Sequence, residues 1–294
     1  MIPHLKYFGP ALAAFSLGLF APVAGAQFSP AFLQNASYWR DGKSEIDFYN
    51  ADFVRDGQHY QTELLMVFTP DFVDPNLMTR AENPKQSGTL AVIRMHQTAT
   101  IPRGLLIEQR SLDALWRMDF MSMARLTLVG SDGMGPVVRN VTESREGSAI
   151  TWKYSGDSYR SKAEKTMTPP NGTAIFYDEL PVRLRTIDFA KPSGSFEIQL
   201  ARTIINSRDD EMLFKPAMVS YKVSERAIDV EVKQEGATDR FVLDRDFPFL
   251  LREWKASDGS QFRLKNSIKA ESANYTKPGD RERALKDPML RHPD

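Results

Sequence analysis

Histidine is scarce and cysteine absent in this sequence. His4, His59, His96 and His292 are the only imidazoles among its 294 residues. A zinc-protease site needs two histidines one helical turn apart with a glutamate beside the first, and no such pair occurs. His59 follows an Asp56-Gly57 turn and His96 sits in a strand-like run, Leu90 to Thr98. A metal shared by the two would need long-range convergence, and surface or half-buried imidazoles are the simpler reading. The lack of Cys removes disulfide frameworks, Cys-zinc sites and thiol nucleophiles. No G-x-S-x-G elbow is present, so a Ser-His-acid triad would have to be assembled from dispersed residues. Gly130-Ser131-Asp132-Gly133-Met134-Gly135 is glycine-dense, but Pro136 and the strand-like Val137-Val138 follow it where a phosphate cradle needs a helix. It reads as a hairpin turn. Asp209-Asp210-Glu211 lacks the spaced oxygens of a calcium loop and reads as a solvated turn. This inventory favours a binding protein over an enzyme and requires neither metal nor cofactor.

The aromatic residues are richer: 18 Phe, 9 Tyr and 4 Trp. Interleaved with bases they could form a nucleic-acid platform. The charge balance of 38 Lys+Arg against 38 Asp+Glu argues against that partner. Their ordinary role is core filling. The sharper reading is an apolar cavity between a curved sheet and a covering loop. Its candidate ligand-binding residues are Phe68, Phe72, Trp116, Trp152 and Trp254, and its expected occupant is an apolar small molecule or lipid. Met66, Met78, Met95, Met118, Met121, Met123 and Met134 add adaptable apolar surface in the same half of the chain.

The elements that would position these side chains are strands. Ile150, Trp152 and Tyr154 alternate with polar residues, as do Phe196, Ile198 and Leu200, Val219, Tyr221 and Val223, Ile228, Val230 and Val232, and Phe262 and Leu264. Period-two alternation puts one dry and one wet face on each strand, the pattern of antiparallel sheet. Asp56-Gly57, Asp132-Gly133, Glu146-Gly147, Glu235-Gly236 and Asp258-Gly259 supply hairpin turns between the runs. The expected fold is mainly β, a strongly curved antiparallel sheet or open barrel with a few short helices. Ser29-Pro30 starts one short helix running to about Trp39, and Asp178 caps another from Glu179 to Ile187. Residues 69–88, with Pro70, Pro75 and Pro84, read as a long excursion of the kind that forms lids.

Residues 1–26 read as a secretory signal peptide. An apolar run from Phe8 to Val23 is interrupted by helix breakers and ends in the small-x-small site Ala24-Gly25-Ala26. The rival reading, a membrane anchor, asks that interrupted run to span a bilayer. Cleavage would leave a soluble, exported chain, periplasmic or extracellular, with no transmembrane segment. Residues 27–269 read as a single β-rich domain and 270–294 as a flexible polar tail. Thr168-Pro169-Pro170-Asn171-Gly172 is the strongest internal break, yet the length suits one sheet running through it.

Tyr38-Trp39-Arg40-Asp41-Gly42-Lys43-Ser44-Glu45-Ile46 with Tyr49, Phe68-Thr69-Pro70-Asp71-Phe72, and Phe247 to Trp254 followed by Asp258-Gly259 resemble segments of an uncharacterised family of exported bacterial proteins. More loosely, a proline-marked strand followed by a D-G hairpin is similar to the half-barrel carriers of the lipoprotein-localisation type. The resemblance covers about 38–72 and 247–265. Ile101 to Leu105 has only a rough counterpart, and a Trp-Cys pair expected of the family is missing. The resemblance implies export and no catalytic residue. Three functions are ranked on these grounds: a carrier of an apolar ligand on the concave face, an envelope interaction module, and a hydrolase with dispersed residues.

Overall fold

The computed structural model describes residues 28–286 apart from 84–87, 120, 132–133, 147–148, 159–160, 171, 204, 206–211 and 272–277. The leader at 1–26, the acidic triple at 209–211 and His292 therefore lie outside the described residues, as does most of the 130–135 loop's centre.

Among the described residues, fifteen strands form one sheet. In chain order they are β1 Ser44–Arg55, β2 Gln58–Val73, β3 Leu90–Arg103, β4 Leu106–Arg117, β5 Met123–Ser131, β6 Pro136–Glu146, β7 Ala149–Ser158, β8 Lys162–Met167, β9 Ala174–Phe176, β10 Ser193–Ala201, β11 Phe214–Val223, β12 Ala227–Gln234, β13 Ala237–Asp244, β14 Leu251–Lys255 and β15 Gln261–Ala270. The spatial order is β8-β7-β6-β5-β4-β3-β2-β1-β15-β14-β13-β12-β11-β10-β9. Two meanders thus run outward from a central seam where the first strand pairs with the last, Ser44 opposite Ala270. Every pairing is antiparallel except β9 with β10. The hairpins obey their turn chemistry. Asp56 and Gly57 both have positive φ, 51° and 74°, as do Glu235 and Gly236 at 49° and 82°. That is the two-residue turn whose twist matches the flanking strands. Ser131 pairs with Pro136 across the glycine-dense loop, so a hairpin stands there.

The sheet is not closed by hydrogen bonds, since β8 and β9 are its two edges. It curls until side chains from the two ends meet. The Trp152 ring of β7 lies 5.5 Å from Phe176 and 5.4 Å from Phe214 of β11. The inward row of β1 reads Glu45, Asp47, Tyr49, Ala51, Phe53, Arg55. Its outward Ile46 and Phe48 form a separate small cluster with Ile268, Ala270 and Leu285. Leu285 belongs to a short helix at Asp280–Lys286, inside the segment read as a polar tail.

Residues 177–187 form a helical stretch, a 3₁₀ turn at Tyr177–Glu179, an α-turn at Leu180–Arg183 and a second 3₁₀ turn at Leu184–Thr186. Asp178 does not cap it. The Glu179 carboxylate accepts the Phe176 N–H at 2.6 Å, while Asp178 accepts from the Thr203 hydroxyl. Every residue from Ile175 to Ile187 is buried. The stretch crosses the concave side of the sheet from one end to the other. Tyr177 donates to Asp239 near the start of β13, and Arg185 reaches Glu45 near the start of β1. The far end is stoppered by two single-turn helices, Ala31–Gln34 and Ala36–Trp39, broken at Asn35, whose side chain caps the second. Phe32, Leu33 and Trp39 from these turns are buried.

The expected excursion at 69–88 is shorter than the prolines suggested. β2 continues through Pro70 to Val73, with Pro70 opposite Ile93 of β3. On the other side β1 has already ended, its last partner in β2 being Phe68. The missing proline N–H therefore breaks no ladder.

Candidate functional site

With the helical stretch inside, little of the concave side remains open. Among the described residues, one space that is left is a cleft of about 440 Å³ at the end of the sheet opposite the N-terminal turns. Its floor is Tyr177 and Asp178, where the helical stretch begins.

One wall is aromatic and follows from strand register. Phe241, Trp254 and Phe262 occupy facing inward positions on β13, β14 and β15. Trp254 stacks on Phe262 at 4.5 Å and on Phe241 at 5.8 Å, and Phe53 of β1 meets Phe262 edge-on at 5.1 Å. Trp254, Phe262 and Phe53 reach the cleft, joined by Ile205 and Ala256. The polar rim of this wall is fixed by three hydrogen bonds. The Trp254 indole N–H donates to the Tyr177 hydroxyl at 3.2 Å, that hydroxyl donates to Asp239 at 2.9 Å, and the Ser257 N–H donates to the same carboxylate oxygen at 2.7 Å. Burial raises the pKa of both Asp239 and Tyr177; the Ser257 and Tyr177 hydrogen bonds counter it at Asp239.

Beside Phe53 the lining is charged. Arg55 and Arg110 both lie against Phe53, their guanidinium carbons 5.3 and 5.9 Å from its ring centroid. Glu108 is buried between them and receives Arg110 in an ion pair. Its carboxylate is also 3.7 Å from Arg55 and 3.6 Å from Arg103. Burial and the neighbouring Arg55 charge push Arg110 down to about 10. Arg202 and Lys215 also line the cleft, as do Glu235 and Asp258; Lys215 is held by Glu235 at 2.9 Å.

Of the residues singled out by sequence, Trp254 lines the cleft. Phe68, Trp116 and Trp152 are buried in the main core. Phe68 carries the Arg185 guanidinium 5.7 Å above its ring, Trp116 carries Arg183, and Trp152 donates to the Met123 carbonyl at 3.1 Å. Phe72 is exposed on β2. The five are thus not gathered in one place. Met66, Met95 and Met123 are core residues, and Met134 is exposed. His59 and His96 do not converge. Each pairs with its own carboxylate, Asp52 at 3.0 Å and Asp113 at 3.3 Å. Among the described residues no three His, Asp or Glu side chains gather to hold a metal ion.

Arg55, Arg110 and Tyr177 were not found from sequence, yet a signal existed for two of them. Glu108 and Arg110 share the inward phase of β4 with Leu112, Ala114 and Trp116, and Arg55 shares that of β1 with Ala51 and Phe53. A charge in the dry phase of an alternating strand needs a partner or a use.

The architecture is that of a β-barrel-like protein with an open seam. No protein-family model and no curated protein matches the chain. Among solved structures it is similar to a β-barrel-like protein of a domain of unknown function, DUF1849, from Brucella abortus. That match has 10% identity and a TM-score of 0.44, and covers 76% of this chain and 97% of the other. No helix among the described residues is long and apolar enough to cross a membrane.

Proposed function

We propose that the chain is an exported, non-catalytic binding protein that takes a small molecule with an apolar body in the end cleft. The supporting observation is the cleft itself. Its volume falls in the range of ordinary ligand sites, and one wall is a stack of aromatic rings set by strand register. The helical stretch fills the rest of the concave side, so the ligand is a small molecule or the end of a lipid chain, not a whole lipid laid along the sheet. Export rests on residues 1–26 read as a leader.

The test is titration of the purified chain with N-phenyl-1-naphthylamine, a neutral apolar fluorophore. Its emission rises on binding the wild type, and Ala256→Phe, which fills the cleft, removes most of that rise. No enhancement with the wild type, or an unchanged one with Ala256→Phe, overturns the reading. A second reading, an envelope interaction module, is favoured by Leu105, Leu106 and Ile107, exposed together at the β3–β4 hairpin. Capture of an envelope protein by the wild type but not by a Leu105→Ser, Ile107→Ser variant would support it.

A further inference from the structure

One guanidinium of the cleft, that of Arg55, is short of acceptors. Arg55 makes one hydrogen bond to protein, from Nη1 to the Val54 carbonyl at 2.5 Å. Its ion-pair distances, 3.7 Å to Glu108 and 3.8 Å to Asp258, are too long for hydrogen bonds. Its Nε and Nη2 are buried with no acceptor. The other acids of the cleft accept their hydrogen bonds from groups other than Arg55, and the charge of Asp178 also supports Arg110. Asp239 serves Tyr177 and Ser257, Glu235 serves Lys215, and Asp178 takes the Thr203 hydroxyl. Arg202 donates to the Gln234 carbonyl at 3.3 Å. Two guanidinium groups therefore sit side by side on one phenyl ring with Glu108 between them, and Glu108 is shared with Arg103. Leaving buried charged donors unsatisfied costs more than leaving neutral ones. A guanidinium fork is shaped to close on two oxygens of one oxyanion.

Resting on the cleft as the ligand site, we propose that its ligand is an anionic amphiphile: a carboxylate or phosphate ester held by Arg55 with Arg110 beside it, its apolar body against Trp254 and Phe262. A turn about the terminal torsions of Arg55 brings Nε and Nη2 onto the oxyanion. The bound negative charge also relieves the repulsion that lowers the Arg110 pKa. A neutral ligand of the same body gains the aromatic wall and neither of these.

The test is isothermal titration of the full chain at neutral pH with octanoate, octyl phosphate, 1-octanol and inorganic phosphate. Octanoate or octyl phosphate is expected to bind at least about tenfold more tightly than octanol, and inorganic phosphate alone not to bind. Which of the two octyl anions is tighter identifies the headgroup. Arg55→Gln removes most of the preference for the anion over octanol, while Arg55→Lys, which keeps the charge without the fork, retains part of it. Octanol binding as tightly as both anions overturns the inference and leaves the apolar cleft standing. Inorganic phosphate binding as tightly as octyl phosphate overturns the amphiphile. Silence from all four probes, octanol included, brings down the cleft reading and this inference with it. The comparison of probes on the wild type decides the question even if Arg55→Gln fails to fold.

Discussion

Glu179 and Asp47 are acids placed where water does not reach. Burial pushes the Glu179 carboxyl up to about 7 from its usual 4.5, against the opposing pull of Arg183 and of the Phe176 N–H. Asp47 is raised by burial and by Glu45 two positions away on the same inward row, and the Ser267 hydroxyl at 2.6 Å offsets this only in part. Raised acids have a definite effect on stability. Below pH 4.5 Glu179 is protonated folded and unfolded alike, and its contribution is complete. Between 4.5 and about 7 the unfolded chain ionises first, so stability falls as pH rises, by up to about 3 kcal/mol. Above that the loss is complete. Glu179→Gln keeps an oxygen for the Phe176 N–H and cannot ionise. It is expected to gain on the wild type steadily from pH 5 upward and to be clearly the more stable protein at pH 8. Urea denaturation at pH 5, 6, 7 and 8 measures this, and parallel pH slopes for the two proteins would refute it. The slope that remains in Glu179→Gln is expected to flatten further on adding Asp47→Asn.

The helical stretch at 177–187 is an element whose reason lies elsewhere in the chain. Arg185 makes a two-pronged pair with Glu45 at 2.6 and 2.8 Å, donates to the Pro248 carbonyl at 2.9 Å and lies 4.6 Å above the Phe32 ring. Tyr38 donates to the same glutamate. Removing one member of such a pair strands the other charge in the core. Arg185→Met is therefore expected to cost about 3–5 kcal/mol in denaturant unfolding, and Glu45→Met added to it to restore much of the loss. A double variant no more stable than the single one would show that the pair is not what fixes the stretch. This element also marks how far sequence reading reaches. The alternation of Ile228, Val230 and Val232 and the paired positive φ at Asp56-Gly57 are local, and strands and turns were legible from them. The helix expected over Glu179 to Ile187 likewise stands, as short helical turns. What buries its charged residues was not legible: Asp178 accepts from Thr203, Arg183 donates to the Met121 carbonyl and Arg185 pairs with Glu45 of β1. The partner of Arg185 is 140 residues away. The cleft was illegible for the same reason: Arg55, Arg110 and Trp254 meet only after β1, β4 and β14 take their places in one curl.

At the scale of the whole molecule, the proline-rich break at 168–172 falls between β8 and β9, the two edge strands of the one sheet. The chain before it builds β1–β8 and the chain after it builds β9–β15. Neither meander can bury its inward face alone. The N-terminal one lacks the helical stretch that covers it, and the C-terminal one lacks β1 to pair with β15. What joins them is the β1–β15 ladder, the Glu45–Arg185 pair, the Tyr49 hydroxyl on the Leu251 carbonyl at 3.0 Å and the Trp152–Phe176–Phe214 cluster. None of these runs through residues 168–170. A protease site inserted between Pro169 and Pro170 and then cut should thus leave two fragments that elute as one native-sized species and part only on unfolding. Cutting turns a unimolecular transition into dissociation, so the thermal midpoint should drop and become dependent on protein concentration, where the intact chain's is not. Fragments that separate without denaturant would mean that the two meanders are independent domains. The end cleft, whose walls come from both, would then not survive as a site in either fragment.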